Sequence, residues 1–143
     1  MILVSACLLG ENCKYDGGNN DNLYVKLFLK DKEYVAFCPE IAGGLDAPRP
    51  PCEMCQGRVM NVKGEDMTEE FTDGAEQALD LCLETGAELA VLKEGSPSCG
   101  VNWIYDGTFD HVRIPGKGVT AALLAENGIN CISEEDIVNG RLK

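Results

Sequence analysis

One apolar segment limits the possible folds of this chain more than any other feature. Residues Met1 to Leu9 form an almost continuous apolar run that ends at Gly10. A strand with one face in water alternates apolar and polar residues, whereas a strand covered on both faces is apolar throughout. The run therefore predicts a central strand of a parallel sheet, with other layers packed on both of its faces.

Helices and further strands alternate after this first strand. Strands are predicted at residues 34–37, 89–92 and 129–132, and helices at residues 23–29, 68–85, 118–127 and from Ser133 onward. Ser133 starts a capping-box-like pattern with an acid three residues later. The longest helix places Phe71, Ala75, Ala78 and Cys82 on one stripe. This alternation indicates βαβ units. The predicted fold class is α/β, a single-domain Rossmann-like parallel sheet flanked by helices, over residues 1–143.

Three segments do not fit the alternation. Residues 43–51 hold three prolines and two glycines, a composition that predicts a stiff irregular loop. Residues 57–67 are typical of a small hairpin insertion, with a strand over 58–62 and a turn near Lys63 and Gly64. Residues 93–110 are predicted to be mostly loop, with short pairing around residues 103–105.

Composition excludes several classes of function. The 143 residues are 45% hydrophobic and carry a net charge of −12, which fits a soluble domain and disfavours a broad basic surface for nucleic acid. No apolar run approaches the roughly 18 residues of a membrane span. The apolar N-terminus lacks a positive leader, so a cytoplasmic location is expected. His111 is the only histidine, which excludes any site that needs two.

The eight cysteines are the most unusual part of the composition. In a reducing compartment such a set favours metal binding or catalysis over disulfides. Cys7 and Cys38 are each predicted to close a strand, Cys99 follows a third strand, and Cys13 lies in a glycine-rich loop. Because the carboxyl ends of parallel strands meet at one edge of a sheet, Cys7, Cys38 and Cys99 are expected to converge on one crevice.

The other four cysteines have different settings. Cys82 and Cys131 lie at apolar positions of a helix and a strand and are predicted to belong to the core. Cys52 and Cys55 form a single C-x-x-C pair in a predicted loop after two prolines. Such a pair suits a redox dithiol or half of a zinc site, but the second half of a zinc site is missing. Glu40, two residues beyond Cys38, is either a general acid or base or a solvated loop acid.

Several segments resemble motifs of the thiouracil desulfidase family. They occur in the expected order and together cover Met1 to about Asn127; the matching segments are residues 4–10, 12–17, 38–40, 43–45, 48–51, 57–59 and 93–100. Cys52 and Cys55 depart from the family pattern, in which a residue without a thiol is expected after the double proline.

The resemblance implies a hydrolase that acts on a C–S bond and uses a [4Fe-4S] cluster. The cluster is held by three cysteines and one iron has no protein ligand. The sulfur of a thiolated pyrimidine binds that iron, water attacks the ring carbon, and sulfide leaves without net redox change. Carried over by motif, Cys7, Cys38 and Cys99 are the ligands, and Cys13 is an alternative to one of them. Glu40 is the general acid or base.

The resemblance also implies a hydroxyl that orients substrate or water. Ser96 and Ser98 both match the motif, and Ser96 ranks slightly higher. The expected substrate is a small thiolated pyrimidine base or nucleoside such as 2-thiouracil, since a charge of −12 disfavours transfer RNA.

Two other functions stay open from the sequence. One is a non-catalytic metal-binding or cluster-binding module that uses Cys52 and Cys55 among its ligands. The other is a thiol redox protein that uses the same pair.

Overall fold

The computed structural model describes residues 1–140, so residues 141–143 at the end of the predicted domain lie outside the described residues. In chain order the elements are β1 (Ile2–Ser5), a 3₁₀ turn (Ala6–Leu9), α1 (Leu23–Leu29), β2 (Tyr34–Phe37), α2 (Pro39–Ala42), β3 (Cys52–Cys55), β4 (Arg58–Asn61), α3 (Thr68–Thr85), β5 (Leu89–Leu92), β6 (Trp103–Tyr105), β7 (Arg113–Pro115), α4 (Val119–Glu126), β8 (Asn130–Ser133) and α5 (Glu134–Val138). None of the helices in this part of the chain is long and apolar enough to cross a membrane.

The main sheet has four parallel strands in the order β2-β1-β5-β8. Leu3 of β1 lies opposite Val35 of β2 on one side and Ala90 of β5 on the other. The chain therefore leaves β1 in one direction to form β2 and returns to its other side to form β5 and β8. In such sheets the crevice at the carboxyl ends of the strands on either side of the reversal is where ligands bind.

Both faces of the sheet are covered, as the apolar first strand predicts. Leu3 and Ala90 pack in one buried cluster with residues of α3 and α4, and Val4 and Val91 pack in a second cluster with residues of α1. Alternate residues of a strand point to opposite faces, which explains the two clusters. Cys82 is buried in the first cluster, and the half-buried Cys131 packs against it.

Two sequence predictions about the first strand need correction: where it ends, and the place of Cys7, which lies in the turn after the strand and does not close it. The first strand stops at Ser5 and does not run on to Leu9, because residues 6–9 form the 3₁₀ turn. The turn is as apolar as a strand because Leu8 is completely buried in it. Cys38 stops the second strand as predicted, but it also caps α2, a short helix that the sequence analysis did not predict. Pro39 suits the first position of that helix because its missing N–H has no partner there.

The hairpin insertion lies earlier in the chain than predicted. Strand β3 pairs with β4 across a tight turn at Gln56 and Gly57, both with positive φ. Cys52 and Cys55 therefore lie on a strand, which corrects their predicted loop position. The expected turn near Lys63 is present too, since the Gly64 N–H donates to the Asn61 carbonyl over 2.9 Å. The pairing predicted around residues 103–105 is confirmed as a second hairpin, β6–β7.

Two glycines allow α2 and α3 to touch backbone to backbone. A Cβ atom at Gly74 would overlap the carbonyl oxygen of Pro39, and one at Gly43 would overlap the carbonyl oxygen of Glu70. Any larger residue would force the helices apart. The contact fixes the position of α2, which begins directly after Cys38 and contains Glu40.

Candidate functional site

A cavity of about 320 Å³ opens at the carboxyl ends of β1, β2 and β5. The backbone N–H of Lys93, just after β5, donates to Ser5 Oγ at the end of β1 over 3.0 Å. This bond joins the two strands at the point where the strand order reverses. The thiols that line the cavity are Cys7, Cys13, Cys38, Cys52 and Cys99. The structure therefore brings together the three cysteines that were expected to converge, Cys7, Cys38 and Cys99, and adds Cys13 and Cys52.

One of these thiols, that of Cys13, interacts with two others, those of Cys7 and Cys38. A hydrogen bond from the Cys13 thiol lowers the pKa of Cys7, to which Asn20 Nδ2 also donates over 3.3 Å. The same thiol lowers the pKa of Cys38 to about 7, assisted by the Ile41 N–H at the start of α2. Both contacts raise the pKa of Cys13 itself. Cys7 and Cys38 are thus the most readily ionised of the three, and metals bind thiolates.

Cys99 has a more enclosed position. It is only 5% exposed, and burial raises its pKa. Its backbone N–H donates to Ser96 Oγ over 3.0 Å, which holds the turn at residues 97–99 in place. A metal ion or cluster nearby would favour the thiolate of such a residue, because binding a cation offsets the cost of burying a charge.

The donor set fits an iron–sulfur cluster. Within residues 1–140 no group of three or more His, Cys, Asp and Glu side chains is arranged to hold one metal ion. Thiolates that bind a cluster attach to different irons and need not meet at one point, and soft sulfur ligands favour iron–sulfur chemistry. Several thiols along one cavity wall meet that requirement.

Glu40 is held by an arginine that the sequence analysis did not single out for a role. Arg49 Nε and Nη2 donate to Glu40 Oε1 over 3.2 and 3.1 Å, and Nη2 also donates to the Cys13 carbonyl over 2.9 Å. Burial raises the pKa of Glu40, and the Arg49 charge opposes that shift. The signals for Arg49 in the sequence are its place as the one cation of the proline-rich loop and its position in the matching segment 48–51.

The two candidate serines have different surroundings. Ser96 lines the cavity, and its Oγ donates to Glu40 Oε2 over 3.4 Å while it accepts the N–H groups of Ser98 and Cys99. Ser98 is fully buried, and its hydroxyl pairs with Thr120 Oγ1 at 2.8 Å. Of the two hydroxyls, that of Ser96 faces the cavity.

A buried carboxylate that the sequence analysis missed organises the loop after β5. Glu94 Oε1 accepts the N–H groups of Val101 and Asn102 over 2.7 and 2.8 Å, and Oε2 accepts Asn102 Nδ2 over 2.8 Å. Its own N–H donates to Glu134 Oε1. Burial opposes ionisation of Glu94, but the hydrogen bonds from Asn102 and Trp103 outweigh it and lower the carboxyl pKa. The loop that carries Ser96 and Cys99 is folded around this group.

Replacing Glu94 with glutamine is expected to lower the free energy of unfolding by about 1–3 kcal/mol, since an amide nitrogen would face buried donors. Urea unfolding at neutral pH measures the change in unfolding free energy, and Glu84→Gln, a substitution at an exposed position, is the control. Because folding lowers the pKa of Glu94 below 4.5, its contribution is complete above that pH and is lost as the pH falls through the folded value. The stability difference should therefore shrink in acid, and a pH-independent difference would contradict this account.

Cys52 and Cys55 do not form a matched pair. They lie three residues apart on β3, so their side chains leave opposite faces of the hairpin. Burial raises the pKa of Cys52 to about 12, which keeps its thiol protonated. Such a geometry suits neither a redox dithiol nor a shared zinc ion.

Comparison with known proteins agrees with the site. A family model described as 2-thiouracil desulfurase matches residues 2–136. The uncharacterized protein YbbK of Bacillus subtilis (strain 168) is 40% identical over an alignment of 147 positions, which covers 96% of this chain and 97% of that protein. A solved structure of the [4Fe-4S]-dependent thiouracil desulfidase TudS has a TM-score of 0.90 and 46% sequence identity, and the match covers 96% of this chain and 93% of that chain.

These similarities confirm both the α/β fold and the family resemblance seen in the sequence. The family model covers nearly the whole chain, and the Bacillus protein is similar along almost its full length. The chain therefore belongs to the 2-thiouracil desulfurase family.

Proposed function

We propose that this protein hydrolyses the C–S bond of a small thiolated pyrimidine such as 2-thiouracil. The reaction consumes water and yields the oxo-pyrimidine and sulfide, with no change in oxidation state. The observation that carries the proposal is the cavity at the strand reversal, where five thiols line the wall together with a hydrogen-bonded Glu40–Ser96 pair. The description of the structural relative as a [4Fe-4S]-dependent thiouracil desulfidase supports it.

Cys7, Cys38 and Cys99 would hold the cluster, with one iron left without a protein ligand. The positions of all three in the matching motifs and in the lining of the cavity support this set. Cys13 contacts both and is the alternative to one of the three. When bound, the cluster supplies a soft Lewis acid that accepts the sulfur of the substrate.

The protein's own groups handle water and protons. Glu40 would take a proton from the attacking water as the water oxygen bonds to the ring carbon. It would then return a proton as the sulfur leaves. The Arg49 guanidinium holds one carboxylate oxygen and leaves the other, Oε2, toward Ser96. The Ser96 hydroxyl would orient the water or the substrate, and the hydroxyl of Ser98 is already paired with Thr120.

The net charge and the free cysteines support a substrate class and a compartment for the protein. The net charge of −12 favours a small pyrimidine base or nucleoside over transfer RNA. All eight cysteines are free, which suits the reducing conditions of the cytoplasm.

The test compares 2-thiouracil with uracil on protein that is purified and loaded with iron and sulfide in the absence of oxygen. 2-Thiouracil should change the absorption and EPR spectra of the cluster far more than uracil, because soft iron favours a sulfur ligand over a carbonyl oxygen. Sulfide should then appear in equal amount to the uracil formed, without added reductant.

A Cys52→Ala/Cys55→Ala double variant is the matched control and should keep both the spectrum and its response. Loss of iron in that variant, or identical spectra with the two pyrimidines at saturation, would favour the non-catalytic module. Protein that binds no cluster but titrates as a dithiol would favour the redox function.

A further inference from the structure

We propose that the β6–β7 hairpin and its loop form the wall of the cavity that recognises the pyrimidine ring. In this proposal Tyr105 stacks on the base and His111 hydrogen-bonds to its amide edge. The inference takes its substrate class from the proposed function. Neither residue belongs to the cluster ligands or to the Glu40–Ser96 pair.

An aromatic ladder runs along this wall. Trp103, Tyr105 and His111 line the same cavity as the thiols. The centroids of Trp103 and Tyr105 are 5.3 Å apart and those of Tyr105 and His111 are 5.7 Å apart, each pair at an interplanar angle of 79°. Aromatic rings and a few polar groups are the typical lining of small-molecule sites.

Trp103 is already occupied by the protein. Its ring packs against Gly95, its Nε1 donates to Glu135 Oε1 over 3.1 Å, and the Arg113 guanidinium covers it at 4.0 Å. By contrast, the side chains of Tyr105 and His111 make no hydrogen bond to any other residue among 1–140. The free rings of the ladder are therefore Tyr105 and His111.

A strained loop presents His111 to the cavity. Gly107, Phe109 and His111 have positive φ angles of 95°, 61° and 60°. Glu53, a buried carboxylate of β3, accepts the N–H groups of Gly107 and Phe109 over 3.0 and 3.1 Å. Left-handed backbone at residues other than glycine persists only where the surroundings enforce it, and it concentrates at functional sites.

The geometry of the two rings matches the chemistry of a pyrimidine. Thiouracil and uracil are flat and have an edge of N–H donors and carbonyl acceptors. Two rings at 79° cannot both stack on one flat ligand, so a base that stacks on one ring meets the other at its edge. Phenol rings provide a stacking face, and an imidazole provides a nitrogen that can donate or accept.

The experiment measures binding on the cluster-loaded protein with uracil, which lacks the sulfur. Trp103 is the only tryptophan, so a change in its fluorescence reports occupancy of the wall. Tyr105→Ala should weaken uracil binding about 10–100-fold, and Tyr105→Phe should have little effect. His111→Phe should weaken it about tenfold, and His111→Gln, which keeps a polar group, by about threefold or less.

In these variants KM for 2-thiouracil should rise by similar factors, while the spectrum of the protein-bound cluster without substrate stays unchanged. Asp110→Ala, at an exposed neighbour that does not line the cavity, is the matched control. Cluster content and urea midpoints show whether each variant is folded. Tyr105→Phe and His111→Phe each keep an aromatic ring, so the difference between their affinities for uracil tests the roles of the two residues without leaving a cavity.

The outcomes separate this proposal from the proposed function. Wild-type protein that binds uracil but releases no sulfide from 2-thiouracil, with uracil binding weakened about tenfold in His111→Phe, would support the wall and contradict the desulfidase. Wild-type protein that releases sulfide, with binding and KM unchanged in Tyr105→Ala and His111→Phe, would overturn the wall alone. Wild-type protein that binds neither pyrimidine would overturn the wall as well.

Discussion

Single alanine substitutions of Cys7, Cys38 and Cys99 are each expected to abolish retention of the cluster. With one thiolate removed, only two protein ligands would anchor it, and a ligand set of that size cannot hold the group through purification. Iron and acid-labile sulfide per chain, measured after anaerobic loading and gel filtration, should fall from a full complement to almost none. The expected loss of desulfuration follows from the loss of the cluster.

Two other thiols serve as controls for these variants. Cys82 is buried in the hydrophobic core between α3 and the sheet and does not line the cavity, so Cys82→Ala should keep its iron. Cys13 lines the cavity and contacts Cys7 and Cys38, so Cys13→Ala is the stricter comparison. Loss of iron in Cys13→Ala together with full iron in one of the three single variants would make Cys13 the third ligand.

Glu40→Gln is expected to keep the cluster and lose about 10²–10⁴-fold in the rate of desulfuration. The amide has nearly the shape of the carboxylate but cannot take a proton from water. Binding should therefore survive while proton transfer does not. The measurement is the initial rate of 2-thiouracil loss, normalised to the iron content of each preparation.

Glu70→Gln provides the control for the removal of a carboxylate close to α2. Glu70 is partly buried on α3 and does not line the cavity, so this variant should retain wild-type turnover. A cluster-loaded Glu40→Gln variant with wild-type turnover would reduce Glu40 to a structural partner of Arg49.

Much of the fold could be predicted because burial leaves a trace in the sequence. Strands β2 and β5 have the predicted bounds because each is a short unbroken apolar run, and helix α3 has them because its apolar residues repeat with the period of a helix. The end of β1 could not be found in this way. Leu8 is as apolar in the 3₁₀ turn as it would be in a strand, so composition contains no mark of the boundary.

Some features of the candidate site could likewise be predicted from the sequence, and others could not. The convergence of Cys7, Cys38 and Cys99 follows from strand ends that any parallel sheet brings together. The partnership of Arg49 with Glu40 depends on the path of a proline-rich loop, and the hydrogen bond from the Gly107 N–H to the Glu53 carboxylate joins residues in two separate hairpins. No local pattern encodes contacts of this kind.

The glycine contact between α2 and α3 has a consequence for any survey of random substitutions scored by activity. Gly43 and Gly74 have no functional group and do not line the cavity. Yet a methyl group at either one would push α2 outward, and a displacement of about 1 Å at a reacting group can cost about 10²-fold in rate. Substitutions at both glycines would then reduce activity as substitutions of the thiols and Glu40 do. The positions sensitive to substitution would extend well beyond the residues that touch the substrate.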